Sequence, residues 1–207
     1  MRRLVCVIEG HGELEAVPVL CNRVMRSLLQ VDDWFVDEEP VRQPRSKLVD
    51  QSAPSPRRGV HPLGMNRALA LAAARTPTPA GILVLRDADD DCPAAWGPAV
   101  PLTVERGGAS VGVHAVMASR EFESWLLWGF PAGDRDRVKA SDPERSPRDA
   151  KKALQRLVAG YTPTTHQLAE TRRMNLAAAW AASDSFDKLV RSVAALIGKR
   201  PPERPTR

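Results

Sequence analysis

The chain has 207 residues, of which 43% are hydrophobic, so it can bury a core and is short enough for one main domain. No run of about 18 apolar residues occurs, and the opening MRRLVCVIEG lacks a signal-peptide pattern, so we expect no membrane span. Three cysteines without a metal or disulfide spacing predict reduced thiols and a cytoplasmic location. The net charge of +5 is compatible with nucleic acid as a partner but does not require it.

Apolar runs and turn residues predict alternating strands and helices in the first half of the chain. Strands are expected at residues 4–8, at 34–36 or near 41, and at 81–85, and helices at 13–30 and 66–75. Residues 43–63 are rich in Pro, Ser and Arg and predict a mobile loop. Residues 92–104 are expected to be irregular or to form a short helix.

The second half of the chain continues the pattern and then becomes helical. A strand is expected at 111–117, a charged loop at 131–150, and helices at 121–128, 148–159 and 186–198. Strands that alternate with helices predict an α/β fold with a mostly parallel sheet flanked by helices. We therefore expect an α/β core at 1–130, a helical extension at 131–198 and a disordered tail at 199–207.

Carboxylates stand where the predicted strands end. Glu9 follows the first strand, Asp87 and Asp89 follow the strand at 81–85, and Glu121 and Glu123 lie beyond the strand at 111–117. Functional groups of open parallel sheets gather at the carboxyl ends of the strands, and crowded carboxylates favour a divalent cation such as Mg²⁺ or Mn²⁺. The alternative is that residues 87–91, DADDD, form a solvated acidic turn.

Four motifs in this order resemble the Toprim (topoisomerase–primase) fold, and more closely its small stand-alone bacterial proteins. They are EGxxE at 9–13, DADDxCP at 87–93, REFESWLL at 120–127 and SDSFDKLVRSVAALI at 183–197. The family is also similar to the Toprim part of the overcoming-lysogenization-defect nucleases, which cleave DNA with a divalent metal. Asn175 departs from the pattern, because an acidic residue is expected there.

The resemblance implies a Toprim-like (Rossmann-like) core and roles for individual residues. Asp87 and Asp89 would bind Mg²⁺ or Mn²⁺, Glu13 or Glu123 would contribute to a second position, and Glu9 would be a ligand or the general base. Gly10 and Gly12 would let the backbone approach a phosphate, although a tight strand-to-helix turn explains them equally well.

Basic residues near these motifs are candidates for contacts with a nucleic-acid backbone, although ordinary solvated surface cations would look the same. They are Arg42, Arg45, Lys47, Arg120, Lys151 and Lys152.

The functional prediction is a metal-dependent nuclease or nucleic-acid-processing protein. From the resemblance we expect a setting in bacterial defence or a mobile element, DNA in preference to RNA, an ATPase of another chain as partner, and a homodimer. A non-catalytic module that binds nucleic acid or the ATPase is the first alternative. A hydrolase or transferase that acts on a small phosphate compound is the second.

Overall fold

The computed structural model describes residues 2–75, 77, 79–145 and 149–206. Residue 148, where a helix was predicted to begin, and residue 207 of the predicted tail lie outside these ranges. The described strands are β1 (Arg2–Ile8), β2 (Trp34–Val36), β3 (Val41–Arg42), β4 (Gly81–Asp87), β5 (Thr103–Arg106) and β6 (Ala109–Ala118). The described α-helices are α1 (Glu13–Arg23), α2 (Arg45–Leu48), α3 (Pro62–Ala73), α4 (Pro93–Trp96), α5 (Phe122–Trp128), α6 (Ala132–Arg137), α7 (Ala150–Leu157), α8 (Pro163–Arg173), α9 (Leu176–Ala182) and α10 (Asp184–Leu196).

The described strands form one sheet in the order β2-β1-β4-β6-β5, and β3 also pairs with β1. All pairings are parallel except that of β5 with β6. The α/β class and the mostly parallel sheet flanked by helices are thus confirmed. Because β1, β4 and β6 run in the same direction, the ends of β1 and β4 lie side by side, with Ile8 opposite Leu85.

Two apolar layers cover the sheet. Leu4, Cys6 and Ile8 of β1 join the core that contains residues of α1, α5 and α10, whereas Val5 and Val7 join the core beneath α3 and α4. A strand that is buried on both faces is mostly apolar, which is why residues 4–8 of β1 and 81–85 of β4 are hydrophobic runs, whereas the buried Arg86 of β4 is paired with a carboxylate.

Helices of the predicted extension pack directly on the α/β core. α8 lies against α1, and both α7 and α9 lie against α5. Leu154 of α7, Tyr161 and Leu176 of α9 belong to the same buried cluster as Leu4 of β1. In the tail, Arg204 donates to the carbonyl oxygen of Trp180 at 2.9 Å, so this residue is held at the end of α9.

Several local predictions were wrong. Residues 92–104 were expected to be irregular or to form a short helix; α4 at 93–96 confirms the helix, but the end of the segment belongs to β5 (Thr103–Arg106). Residues 43–63, expected to be a mobile loop, contain α2 and an isolated bridge between Val49 and Val60. The charged segment 131–150 contains α6, and α8 and α9 were not predicted.

Both candidate positions for the second strand are strands, namely β2 and β3. None of the helices in the described ranges has the length and apolar character needed to cross a bilayer.

Candidate functional site

Glu13 closes the turn at the end of β1. Its side chain is buried, and its Oε2 accepts hydrogen bonds from the backbone N–H groups of Glu9 at 3.1 Å and Gly10 at 3.0 Å. Burial, together with the charges of Glu9 and Glu123, raises the pKa of Glu13 from 4.5 to about 7, against the opposing effect of these hydrogen bonds. Glu13 is therefore both a structural link and a carboxyl group that readily holds a proton.

Asp87, the last residue of β4, connects the sheet to α5. Its Oδ1 accepts a hydrogen bond of 2.7 Å from the backbone N–H of Phe122, the first residue of that helix. Burial raises the pKa of Asp87 well above its ordinary value, and the charges of Glu13, Glu123 and Glu9 add to the effect. The strand end and the helix start therefore bring carboxylates together, as the position of the motifs predicts.

Glu123 lies one residue further along α5 and is also buried. Its Oε1 accepts a hydrogen bond of 3.1 Å from the hydroxyl of Tyr161. Burial raises the pKa of Glu123, whereas the positive charge of Lys151 and the bond from Tyr161 lower it. Tyr161, the only tyrosine of the chain, was not predicted as a site residue. A buried tyrosine hydroxyl needs a hydrogen-bond partner, so the single tyrosine of this sequence could have been considered as a partner for one of the carboxylates.

Glu9, Glu13, Asp87 and Glu123 form what we call the carboxylate cluster. Within the described part of the chain, neither Glu13 nor Asp87 nor Glu123 forms an ion pair with Lys or Arg. Buried carboxylates without a cation keep their protons or acquire a counter-ion. The negative charge of the cluster therefore has to be balanced, and either a proton or a metal ion can do so.

Within the carboxylate cluster, Glu9 is the member that lies close to a buried arginine. Its Oε2 is 3.8 Å from Nη1 of Arg86 and has no hydrogen-bond partner among the described atoms, although it is buried. Burial raises the pKa of Glu9, and the positive charges of Arg45 and Arg86 partly oppose this effect. An acceptor oxygen in this position is available to a ligand or a water molecule.

Residues 89–91, which we call the acidic loop, are neutralised by arginine. Fully buried Arg86 pairs with Oδ2 of Asp91 at 2.7 Å, and its guanidinium stacks 4.7 Å from the ring centroid of Trp96. Arg45 of α2 bridges the same Asp91 and Asp89. The crowding of charge that suggested a metal ion is thus balanced here by guanidinium groups. Asp89, predicted to bind metal, and Arg45, predicted to bind nucleic acid, pair with each other.

Asp89 and Arg120 hold the acidic loop against the start of α5. Both adopt left-handed backbone conformations, with φ of 51° and 66°, which are uncommon for residues other than glycine. The N–H of Asp89 donates to the carbonyl oxygen of Arg120 at 2.8 Å, and the Arg120 side chain returns a bond of 3.3 Å to the carbonyl oxygen of Asp89. Nη1 of Arg120 is also 3.2 Å from Asp90. Such outliers often accompany functional sites.

No family model, curated protein or solved structure matches this chain.

The resemblance to Toprim proteins therefore stays a prediction. Whether a metal ion fits has to be judged from the chemistry and the arrangement of the side chains. Carboxylate oxygens are the ligands that Mg²⁺ and Mn²⁺ prefer. In the described ranges, however, no group of three or more His, Cys, Asp or Glu side chains is arranged to hold a metal ion. The carboxylate cluster thus fits a divalent cation in its chemistry, but its side chains would have to move closer together to bind one.

The two glycines of the first motif are already used by the fold. The N–H of Gly10 donates to Glu13, and a Cβ atom at Gly12 would come 2.7 Å from Cβ of Pro163 and also overlap the side chain of Gln167. Gly12 has an ordinary helical φ of −64°. Gly12 is therefore needed for the close approach of α8, which supports the tight-turn explanation, and contact of either glycine with a phosphate stays a prediction.

Some of the basic residues that were predicted to contact nucleic acid lie next to the carboxylate cluster, and others do not. Arg42 of β3 is paired in the sheet with Ile8, directly before Glu9. Lys151, at the start of α7, donates its backbone N–H to Glu121 at 3.1 Å, and its charge acts on Glu123. Lys47 and Lys152 are exposed and form no hydrogen bond or ion pair with the cluster in the described structure.

Proposed function

We propose that this protein binds Mg²⁺ or Mn²⁺ at the carboxylate cluster and cleaves or processes phosphodiesters in nucleic acid, as a Toprim-like protein would. The observation that carries the proposal is that buried Glu13 and Glu123 and half-buried Asp87 lie together, have raised pKa values, and form no ion pair with Lys or Arg in the described structure. A divalent cation would neutralise this cluster in a way that no described side chain does.

Asp87, Glu13 and Glu123 are the residues that would hold the metal. A bound divalent cation stabilises negative charge on a phosphate and lowers the pKa of a coordinated water. Glu9 has a buried, unbonded Oε2 and a raised pKa, so it is suited to accept the proton of an attacking water. Asp89 would contribute only after its ion pair with Arg45 opens.

Basic residues around the cluster would position the nucleic acid. Lys151 lies near Glu123, and Arg120 lies beside the acidic loop, so cations stand next to the carboxylates on two sides. Lysine and arginine contacts to phosphates supply affinity that falls as salt concentration rises. The proposal favours DNA over RNA and is compatible with a homodimer in the cytoplasm. Its setting in bacterial defence or a mobile element, with an ATPase of another chain as partner, is what the resemblance implies.

The test is a cleavage assay on end-labelled single- and double-stranded DNA and RNA, with Mg²⁺, Mn²⁺ or EDTA. We expect cleavage by the wild type with metal, a loss of at least about 100-fold in Asp87→Asn, and wild-type rates in Asp32→Asn, an exposed aspartate of another loop. The amide oxygen that Asp87→Asn introduces can still accept the hydrogen bond from Phe122, so the variant removes charge and little else. Absence of metal-dependent cleavage on every substrate would overturn the enzymatic proposal.

A second candidate is a non-catalytic module that binds nucleic acid or a partner ATPase. The pairing of the acidic loop with Arg45 and Arg86 favours it, because these carboxylates then serve structure rather than metal binding. This candidate predicts salt-sensitive binding to nucleic acid, or capture of a purified ATPase, that survives Asp87→Asn. A binding curve and a cleavage assay on the same preparations distinguish the two candidates.

A further inference from the structure

Strand β6 continues beyond its partner β5. β5 covers only residues 109–112 of β6, whereas β6 extends to Ala118. Just past the paired part, the N–H of Val113 donates to the carbonyl oxygen of Leu102 at 2.7 Å. The side of β6 that faces away from β4 therefore loses its neighbouring strand after Val113.

The alternation of a strand shows which backbone groups lie on that open side. The carbonyl oxygen of Ala118 accepts a bond from Ala88, so the even-numbered residues point towards β4. Val113 points the other way, and Ala115 and Met117 must do the same. At the far end, the N–H of Ser119 donates to Oγ of Ser185 at 3.1 Å. The edge is thus satisfied at both ends, whereas Ala115 and Met117 have no outward backbone partner in the described structure.

The open edge lies on the floor of a groove. The groove has a volume of about 540 Å³ and runs between residues 93–102 and the start of α10. Its apolar lining includes Trp96, Val100, Leu102 and Met117. Buried backbone groups are nearly always hydrogen-bonded, so an apolar groove with unpaired N–H and C=O groups on its floor matches an extended peptide, which offers both kinds of contact.

The charge at the rim of the groove adds a second requirement. Asp184 is paired with Arg204 at 2.7 Å, which partly balances its charge. Lys188 is exposed, lines the groove, and has no ion-pair partner in the described ranges. A carboxylate is therefore the complementary group at this end.

We propose that the edge of β6 between Val113 and Ser119 binds an extended peptide segment of a partner protein, which adds a short strand beside β6 and places a carboxylate against Lys188. At about 3.3 Å per residue, the open stretch between Val113 and Ser119 holds roughly five peptide residues. The walls on both sides of the edge suit a single extended chain better than the edge strand of a second copy. The groove is separate from the carboxylate cluster, so this inference does not depend on the proposed function.

The test uses amide hydrogen exchange and chemical shifts measured by NMR on the whole chain. The probes are acetylated hexapeptides with Val at alternate positions, mixed residues between them, and a terminal Glu. We expect the Ala115 and Met117 amides to exchange fast in the free protein and to become protected when the peptides bind. N-methylation of the peptide residues that face β6 should abolish this protection, whereas N-methylation of the intervening residues should preserve it.

The charge requirement is tested with Lys188→Glu and with Arg67→Glu, a matched change at an exposed position of α3. Lys188→Glu should weaken peptide binding by about fivefold or more, and Arg67→Glu should leave it unchanged. The proposal is overturned if no peptide protects the two amides at millimolar concentration, or if N-methylation of the peptide residues that face β6 does not weaken binding. It is also overturned if, in the absence of peptide, both amides become protected as the protein dimerises, because a second copy would then occupy the edge.

Discussion

Asp87 Oδ1 accepts a hydrogen bond of 2.7 Å from the backbone N–H of Phe122, so the last residue of β4 holds the first residue of α5. Glu123 follows Phe122, and its charge helps to raise the pKa of Asp87. The contact that joins strand to helix therefore also brings together two carboxyl groups that repel each other when ionised. Such an arrangement is costly at neutral pH without a proton or a cation.

The free energy of unfolding of the metal-free protein should fall as pH rises from about 4.5 to 7. The pKa of Glu13 is raised from 4.5 to about 7 by burial, so in this range the folded state binds more protons than the unfolded state. One such group changes stability by up to about 1.4 kcal/mol per pH unit. Urea denaturation in EDTA at several pH values measures the slope.

The control for this prediction is Glu13→Gln, whose amide oxygen can still accept the bonds from Glu9 and Gly10. Its unfolding free energy should depend less on pH across the same range. An identical slope in wild type and variant would show that Glu13 does not retain a proton in the folded state.

Removing Asp91 should destabilise the protein strongly. Asp91→Ala leaves the fully buried guanidinium of Arg86 without its 2.7 Å partner, and loss of one member of a buried pair costs about 3–5 kcal/mol. Asp90→Ala is the matched control, because the Asp90 side chain is 61% exposed and pairs with Arg120 at the surface. It should cost about 1 kcal/mol or less. Equal losses in thermal or urea unfolding would argue against a structural role for the Arg86–Asp91 pair.

Gly12→Ala should destabilise the contact between α1 and α8. The added methyl group would lie 2.7 Å from Cβ of Pro163 and 3.0 Å from its carbonyl carbon, and overpacking of this kind costs about 1–3 kcal/mol. Gly133→Ala in α6 has no atom within 4 Å of the new Cβ and should be neutral or stabilising. If Gly12→Ala unfolds at the same urea concentration as wild type, the glycine is not needed for helix packing.

The central strands and their carboxylates could be predicted from the sequence because their signals are local. Residues 4–8 of β1 and 81–85 of β4 are continuous apolar runs, and the ends of neighbouring parallel strands meet at one edge of the sheet. Glu9 and Asp87 could therefore be placed near each other. β5 could not, because its sequence TVER has one strongly apolar residue and two charges, as expected of an exposed edge.

The partners of the carboxylates could not be predicted, because they come from distant parts of the chain. Arg45 is 44 residues from Asp89, and Tyr161 is 38 residues from Glu123. Nothing in the local pattern of DADDD indicates whether arginine, a metal ion or water balances its charge. Gly12 is a similar case, because only the packing of α8 shows why glycine is required there.

Calorimetric titration of the metal-free protein with Mg²⁺ and Mn²⁺ near pH 6.5 tests the account most directly. Wild type, the double variant Glu13→Gln/Asp87→Asn and the exposed control Asp32→Asn would be compared in two buffers of different ionisation enthalpy. We predict binding by wild type and Asp32→Asn, with proton release because the pKa of Glu13 is about 7, and no binding by the double variant. Equal binding in all three proteins, or none in any, would contradict a metal site at the carboxylate cluster.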